Sequence, residues 1–319
     1  MENVLKMKTK VFYPGIPVHS YEKGEEGEVL FYCLRDRLVY FTIFCVEAVR
    51  HGIVVLTQCL MFNHTHSLTK ARSYLSHYRF HQAVESQYAK AFNEVSSRNG
   101  RVFKKPFGWS MKRSDAKVKD CLAYHANNPV VKKLCKKGVD DQWTFLAYGA
   151  SDHPFSSKII WSQASAAFRK GARLVKAAHG ANKPLGYALL ATIYRPLNPE
   201  ESRQMTDFII KTYCVIDFKE AASYFGGYDK MIVAFDVISG SEYDITEDFI
   251  PEPDLAYREM VHAVKAAGYD LSKKRFLSIE GDAKLELVRH LLQTTSASPR
   301  QVSRFLHLKT QAKESKEKY

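Results

Sequence analysis

Two closely spaced histidines follow a short apolar run near residue 60. Residues 52–56, Gly-Ile-Val-Val-Leu, are mostly β-branched and apolar, which predicts a buried strand. The chain then continues into a stretch that contains His64 and His66. Because successive side chains of a strand point to opposite faces, the two imidazoles would share one face of a sheet. Such a pair can bind a divalent cation, although it can equally be two polar residues at a sheet end.

Two stretches of the chain resemble the signatures of one protein family. Residues 60–66, Leu-Met-Phe-Asn-His-Thr-His, resemble the first signature of the REP-associated tyrosine transposases, which are relatives of the single-tyrosine HUH transposases. Residues 123–130, Ala-Tyr-His-Ala-Asn-Asn-Pro-Val, resemble the second signature. The resemblance implies that Tyr124 is the nucleophile and that Asn128 is the third ligand of a metal ion held by His64 and His66.

The spacing within the second stretch suits this chemistry. Residues four apart on a helix lie on one face, about 5–6 Å apart at Cβ, so Tyr124 and Asn128 could both face the histidines. If the helix bends before Pro129, Asn127 could replace Asn128 as the ligand. Three departures from the family pattern remove no reacting group but could change the grip on a substrate, and they are Phe62, Thr65 and Ala123.

A divalent cation, Mg²⁺ or Mn²⁺, is the cofactor that these side chains predict. Phosphodiesters resist nucleophiles because their oxygens are charged, and a bound cation neutralises that charge. Imidazole accepts Mn²⁺ readily, and Mg²⁺ can serve where phosphate supplies further oxygens. The Tyr124 phenol, with a free pKa near ~10, would need the cation nearby to become a competent phenolate. The resemblance implies a transposase that cleaves and rejoins single-stranded DNA through a covalent 5′-phosphotyrosine.

Two other functions stay open on the sequence alone. The protein could be a domesticated DNA-binding protein that keeps the fold but little or no catalysis. It could also be a metal-dependent nuclease that forms no covalent intermediate. The expected partner is single-stranded or hairpin DNA, and the sequence leaves open whether the protein is a monomer or a homodimer.

The charge distribution alone would also fit a protein with an ordinary basic surface. Together with these motifs, it favours binding to nucleic acid. The net charge of +13 is uneven, with +11 in residues 1–140 and −9 in residues 200–259. Basic charge beside a phosphodiester site is typical of nucleic-acid binding. The side chains predicted to contact DNA are Lys104, Lys105, Lys112, Arg113, Lys132, Lys133, Arg300 and Arg304.

The alternation of strands and helices predicts an α+β fold. The resemblance implies a ferredoxin-like antiparallel sheet with helices on one face, as in an HUH nuclease core, followed by a mainly helical C-terminal region. Residues 101–113 are predicted to form a hairpin of two short strands, and Pro129 to stop the helix that carries Tyr124.

We expect three regions along the chain, an HUH transposase or nuclease domain at 1–150, a helical accessory region at 151–253 and a helical tail at 254–319. Two short helices in the tail fit a helix-turn-helix, although a plain helical hairpin fits as well. The second of these helices would offer to DNA the side chains of Arg300, Gln301, Ser303 and Arg304.

Apolar runs and cysteine spacing bear on the location of the protein. No run of eighteen apolar residues occurs, so no transmembrane helix and no membrane partner are predicted. The six cysteines show no CxxC pair, which suits a reducing cytoplasm and argues against a cysteine-based zinc site. We therefore expect a cytoplasmic, nucleoid-associated bacterial protein.

Overall fold

The structure is a computed structural model, and it describes residues 11–237 and 253–308. Its first half contains, in chain order, β1 (Val18–Lys23), α1 (Leu34–His51), β2 (Val54–Leu60), β3 (His64–Lys70), α2 (Tyr74–Ser96), β4 (Gly108–Met111) and α3 (Asp115–Val131). The helices that follow are α4 (Ala166–Gly180), α5 (Tyr187–Tyr194), α6 (Pro199–Tyr213), α7 (Phe218–Ser223), α8 (Tyr228–Val237), α9 (Leu255–Ala266), α10 (Gly281–Thr294) and α11 (Pro299–Leu306).

The four strands form one antiparallel sheet in the order β2-β3-β1-β4. With the element order β-α-β-β-α-β, this is the ferredoxin-like topology. The predicted α+β fold class, an antiparallel sheet with helices followed by a mainly helical region, is therefore confirmed.

Helices cover both faces of the sheet, whereas the resemblance implied helices on one face. Val55 and Leu56, neighbours on β2, belong to different buried clusters, as alternation along a strand requires. Val55 joins the cluster built with α1 and α2, and Leu56 joins a smaller cluster built with α3. The helix that carries Tyr124 thus lies on the face opposite to α1 and α2.

Local capping signals set the ends of the helices next to the sheet. Gly52 ends α1 with a left-handed φ of 62°, a conformation that glycine adopts without steric cost. The hydroxyl of Ser114 accepts from the backbone N–H of Lys117 and so caps α3. The prediction that Pro129 stops this helix was wrong, because α3 continues to Val131 with the proline in its last turn.

The predicted hairpin at residues 101–113 was also wrong. Within this segment only β4 is a strand, and it pairs with β1 rather than with the residues just before it. Phe103 instead forms an isolated bridge with Gly24, at the end of β1. The local pattern correctly indicated extended chain, but the pairing partner lies about ninety residues away in sequence.

The C-terminal helices pack against the sheet region through buried contacts. The Tyr32 hydroxyl donates to the carbonyl oxygen of Phe305, at the end of α11, and Nε2 of His307 lies 2.9 Å from the carbonyl oxygen of Val29. One continuous hydrophobic cluster runs from Val29 to Leu306. The boundaries expected at 150 and 253 stay predictions, and the last residues of the expected tail, 309–319, lie outside the described residues.

No helix in the described ranges combines the length and the apolar character needed to cross a membrane.

Candidate active site

Strands β1 and β3 bring aromatic and imidazole rings to the sheet face that α3 covers. In the antiparallel register Tyr21 lies opposite His66 and Lys23 opposite His64. The rings of Tyr21 and His66 stack with their centroids 5.1 Å apart. Thr65 points to the other face, where its hydroxyl contacts Glu22, so the alternation predicted for the two histidines is present.

Helix α3 places Tyr124 and Asn128 against the same imidazole. The ring centroids of Tyr124 and His66 are 5.2 Å apart, in an edge-on arrangement. Nδ2 of Asn128 lies 3.0 Å from Nε2 of His66. Tyr124 is half-buried, while His66 and Asn128 are buried. The structure thus brings together the predicted nucleophile and two of the three predicted metal ligands.

The third predicted ligand, His64, lies beside this group. Its ring centroid is 4.9 Å from that of His66. Its Nδ1 lies 2.7 Å from the side-chain oxygen of Asn63, which fixes the ring and leaves Nε2 for another partner. The alternative ligand, Asn127, is directed elsewhere, because its Nδ2 donates to the carbonyl oxygen of Phe235 in α8. Of the two neighbouring asparagines, it is Asn128 that faces the histidines.

Two further histidines, His19 and His125, lie in the candidate site, and neither was predicted from the sequence to belong to it. Nε2 of His19 lies 3.0 Å from Nδ1 of His66. One ring nitrogen each of His19, His66 and His125 lie within 4.8 Å of one another, and all three side chains are buried. The extended pattern of residues 18–21 could have indicated a strand with His19 and Tyr21 on one face. Only the pairing of β1 with β3 brings His19 to His66.

Burial and neighbouring positive charges keep the imidazoles of His19 and His64 neutral. The pKa of His64 lies well below its usual value, first because burial penalises the charged ring and then because of His66, Lys132 and Lys23. The pKa of His19 is lowered well below its usual value by burial, then by His66 and Lys112. A neutral imidazole keeps a lone pair for a cation, and the surrounding lysines create a field that favours a phosphate.

The cations predicted to contact DNA are unevenly accessible. Five of them are exposed, namely Lys104, Lys105, Arg113, Lys133 and Arg300, and two are partly buried, namely Lys132 and Arg304. Lys112 is buried, contrary to its expected surface role, and its ammonium donates to the Ser110 hydroxyl at 2.9 Å. Its backbone N–H donates to the Pro17 carbonyl, so the residue extends the edge of the sheet next to His19.

The C-terminal pair of helices is present as expected, but one of its predicted contacts with DNA is not available. Gln301 is buried, because its side chain caps α11 and donates to the carbonyl oxygen of Pro253. The Arg304 side chain packs against Gly27. A Cβ atom placed on Gly27 would lie only 2.9 Å from Nε of Arg304. Arg300 remains on the open surface of this helix.

Comparison with known proteins gives one structural similarity. No protein-family model matches the chain, and no curated protein matches it. A solved structure of a REP-associated tyrosine transposase bound to a REP hairpin is similar with a TM-score of 0.39 and 10% sequence identity. The similarity covers 46% of this chain and 85% of that chain.

Proposed function

We propose that this protein cuts and rejoins single-stranded DNA through a covalent bond between Tyr124 and a 5′ phosphate, as a transposase-type strand transferase. The observation that carries the proposal is the convergence on His66, where the Tyr124 ring lies 5.2 Å away and the Asn128 amide 3.0 Å away. Three side chains of these types, from a strand and a helix, match what phosphodiester cleavage by a tyrosine needs.

The side chains fit a divalent cation. His64, His66 and Asn128 would hold it, with two ring nitrogens and one amide oxygen as donors and further positions open for phosphate and water. Nδ2 of Asn128 already contacts Nε2 of His66. A 180° flip of the side-chain amide would place Oδ1 where Nδ2 now lies. When bound, Mn²⁺ or Mg²⁺ would neutralise the charge of the phosphate oxygens.

The proposed reaction conserves the energy of the phosphodiester bond. The Tyr124 oxygen attacks phosphorus and loses its proton, while the bond from phosphorus to the 3′ oxygen breaks and that oxygen takes up a proton. The products are a 5′-phosphotyrosine and a free 3′-OH. A second 3′-OH can reverse the reaction without ATP, which suits strand transfer better than simple hydrolysis.

Positive charge around the site would hold the DNA backbone. Lys104, Arg113 and Lys133 are exposed, while Lys112 and Lys132 act directly on the site imidazoles. Such charges bind phosphates whatever the base sequence, so base recognition must come from other residues. A protein with this function would act at the nucleoid of a bacterial cell.

The proposal is tested with a hairpin oligonucleotide that carries a single-stranded flank and a 3′ label, incubated with the full chain and Mn²⁺. We expect a labelled protein–DNA adduct that survives denaturant, and Tyr124→Phe should abolish it while DNA affinity changes less than about twofold. Tyr21→Phe is the matched control, because the Tyr21 ring lies equally close to His66 and should leave adduct formation intact.

Three results would overturn the proposal. Binding without any adduct would indicate a DNA-binding protein without catalysis. Cleavage that survives Tyr124→Phe would indicate a metal-dependent nuclease without a covalent step. Loss of the adduct in Tyr21→Phe but not in Tyr124→Phe would show that the nucleophile is Tyr21 and not Tyr124.

A further inference from the structure

We propose that His19, His66 and His125 form a binding site for a transition-metal dication such as Zn²⁺ or Co²⁺, distinct from the ligand set of His64, His66 and Asn128. The inference goes beyond DNA cleavage, since metal binding here requires neither DNA nor the reaction.

The three rings have the spacing of a metal site. Nε2 of His19 and Nδ1 of His66 are 3.0 Å apart, and one nitrogen from each of the three rings lies within 4.8 Å of the others. The ring centroids are 4.6 Å apart for His19–His125, 5.2 Å for His19–His66 and 5.3 Å for His66–His125. A tetrahedral zinc ion with ~2.0–2.1 Å bonds needs ligand nitrogens about 3.3 Å apart, which small ring rotations would provide.

The position of the rings in the fold supports preorganisation. His19 lies on β1, His66 on β3 and His125 on α3, so three different elements fix the ligands. All three side chains have 0% exposure, and packing holds them in place. Rigid elements place ligands more accurately than loops do, so little ordering of side chains would accompany binding.

The donor atoms determine which cation fits. Three imidazole nitrogens without a carboxylate suit zinc, cobalt, nickel or copper, whereas Mg²⁺ requires oxygen ligands. The Tyr124 ring lies near the three histidines, with its centroid 5.2 Å from that of His66 and 6.0 Å from that of His125. The cysteine spacing that argued against zinc in the sequence does not bear on a site built from histidines alone.

His66 belongs to both ligand sets through different ring nitrogens. Its Nδ1 faces His19 and its Nε2 faces Asn128, each at 3.0 Å. A neutral imidazole has one lone pair and one N–H, so coordination through Nδ1 leaves Nε2 protonated, and the reverse also holds. The two sets therefore exclude each other, and the nitrogen of His66 that binds the metal identifies the occupied site.

One nearby charge opposes the proposed cation. The Lys112 ammonium acts on His19 and is buried. A buried like charge weakens the binding of a dication because the interior screens it poorly. Lys112→Met is therefore expected to increase the affinity for the metal. If the metal were bound at a site far from Lys112, this substitution would leave the affinity unchanged.

The test is a titration of the metal-free full chain with Co²⁺ alone, followed by visible absorption and calorimetry in the absence of DNA. We expect one equivalent of Co²⁺ to bind with the absorption of a tetrahedral site. His19→Gln and His125→Gln should each lower the affinity more than about 100-fold, beyond the ~10–100-fold typical of a residue that only orients a ligand. His262→Gln, at an exposed position, is the matched control and should retain the affinity. His64→Gln should also retain it, which separates this site from the ligand set of His64, His66 and Asn128.

A measurement on the unmodified chain locates the bound metal without relying on variants, which can fail to fold. With ¹⁵N-labelled histidine, Zn²⁺ should shift Nδ1 of His66 together with one ring nitrogen each of His19 and His125, and leave His64 unchanged. Absence of Co²⁺ binding would overturn the inference. So would loss of binding in His64→Gln and Asn128→Ala with less than a ~100-fold change in His19→Gln, since His19 would then at most orient His66.

Failure of this inference is distinct from failure of the proposed function. Co²⁺ binding without any DNA adduct would leave the metal site standing and remove the strand transferase. An adduct formed with Mn²⁺ by a chain that binds no Co²⁺ would do the opposite.

Discussion

Nζ of Lys274 lies 2.6 Å from Oδ1 of Asp36, and both side chains are completely buried. The same carboxylate accepts from the backbone N–H groups of Tyr32 and Cys33 and from the Tyr187 hydroxyl. The network therefore joins residues from all three regions expected from the sequence. A buried charge is tolerated where its partners satisfy it, so this contact should hold the helical regions to α1.

Removing one partner of this pair should be strongly destabilising. We expect Lys274→Met to lower the free energy of unfolding by about 3–5 kcal/mol, because Asp36 would remain buried without its counter-ion. The double variant Lys274→Met/Asp36→Asn should recover part of the lost free energy of unfolding. Urea denaturation measures both, with Lys211→Met as the control, since the Lys211–Asp152 pair is exposed and its loss should cost less than about 1 kcal/mol. A loss in Lys274→Met no larger than in this control would contradict the prediction.

A buried acidic network, on the sheet face opposite to the candidate site, should make stability depend on pH. Glu85 is buried next to Glu22, and burial followed by the Glu22 carboxylate raises the pKa of Glu85 to about 8, against the opposing effect of Lys105. The folded state therefore binds a proton that the unfolded state releases above its ordinary pKa near 4.5. Stability from this group is present at low pH and is lost as the pH rises from about 5 to about 8.

Glu85→Gln should remove this loss. The variant should gain on the order of 2 kcal/mol relative to the unmodified chain between pH 5 and pH 9, measured by urea denaturation at each pH. Glu94→Gln, at an exposed position of the same helix, should follow the unmodified chain at every pH. A difference between Glu85→Gln and the unmodified chain that is constant with pH would show that the carboxyl is not protonated in the folded state.

Local signals in the sequence account for the ends of two helices next to the sheet and for the geometry within each motif. Gly52 and Ser114 mark the ends of α1 and α3 as their types require. The period of a strand places His64 and His66 on one face, and the period of a helix places Tyr124 near Asn128. Each of these inferences spans fewer than about ten residues, over which backbone geometry fixes side-chain direction.

Features that depend on distant pairing could not be predicted in the same way. The edge strand β4 pairs with β1, and His19 reaches His66 only through the register of β1 with β3. Lys112 is buried because the chain after β4 continues along the sheet at Pro17, which a basic local composition cannot reveal. In each case a tertiary contact decided the environment of a residue whose neighbours in sequence indicated something else.

The two neighbouring asparagines of α3 should have separable effects. Asn128→Ala should reduce formation of the proposed DNA adduct more than about 100-fold, because its amide contacts His66 in the candidate site. Asn127→Ala should keep adduct formation within about threefold and instead lower stability by about 1 kcal/mol, because it loses the bond to the Phe235 carbonyl. Gel assays of the adduct and urea denaturation distinguish the two, and the reverse pattern would make Asn127 the ligand.

Zinc should inhibit the proposed reaction if both proposals hold. Zn²⁺ at the three-histidine site would take Nδ1 of His66 and leave a proton on Nε2, the nitrogen that faces Asn128. Adduct formation with Mn²⁺ should therefore fall as Zn²⁺ is added. For each variant, the rate is compared with the rate of the same variant without zinc. The Zn²⁺ concentration that halves the rate should be at least about tenfold higher in His19→Gln than in the unmodified chain. His262→Gln, at an exposed position, serves as the control. Equal inhibition of all three chains would mean that zinc acts somewhere other than on His66, for example on the DNA.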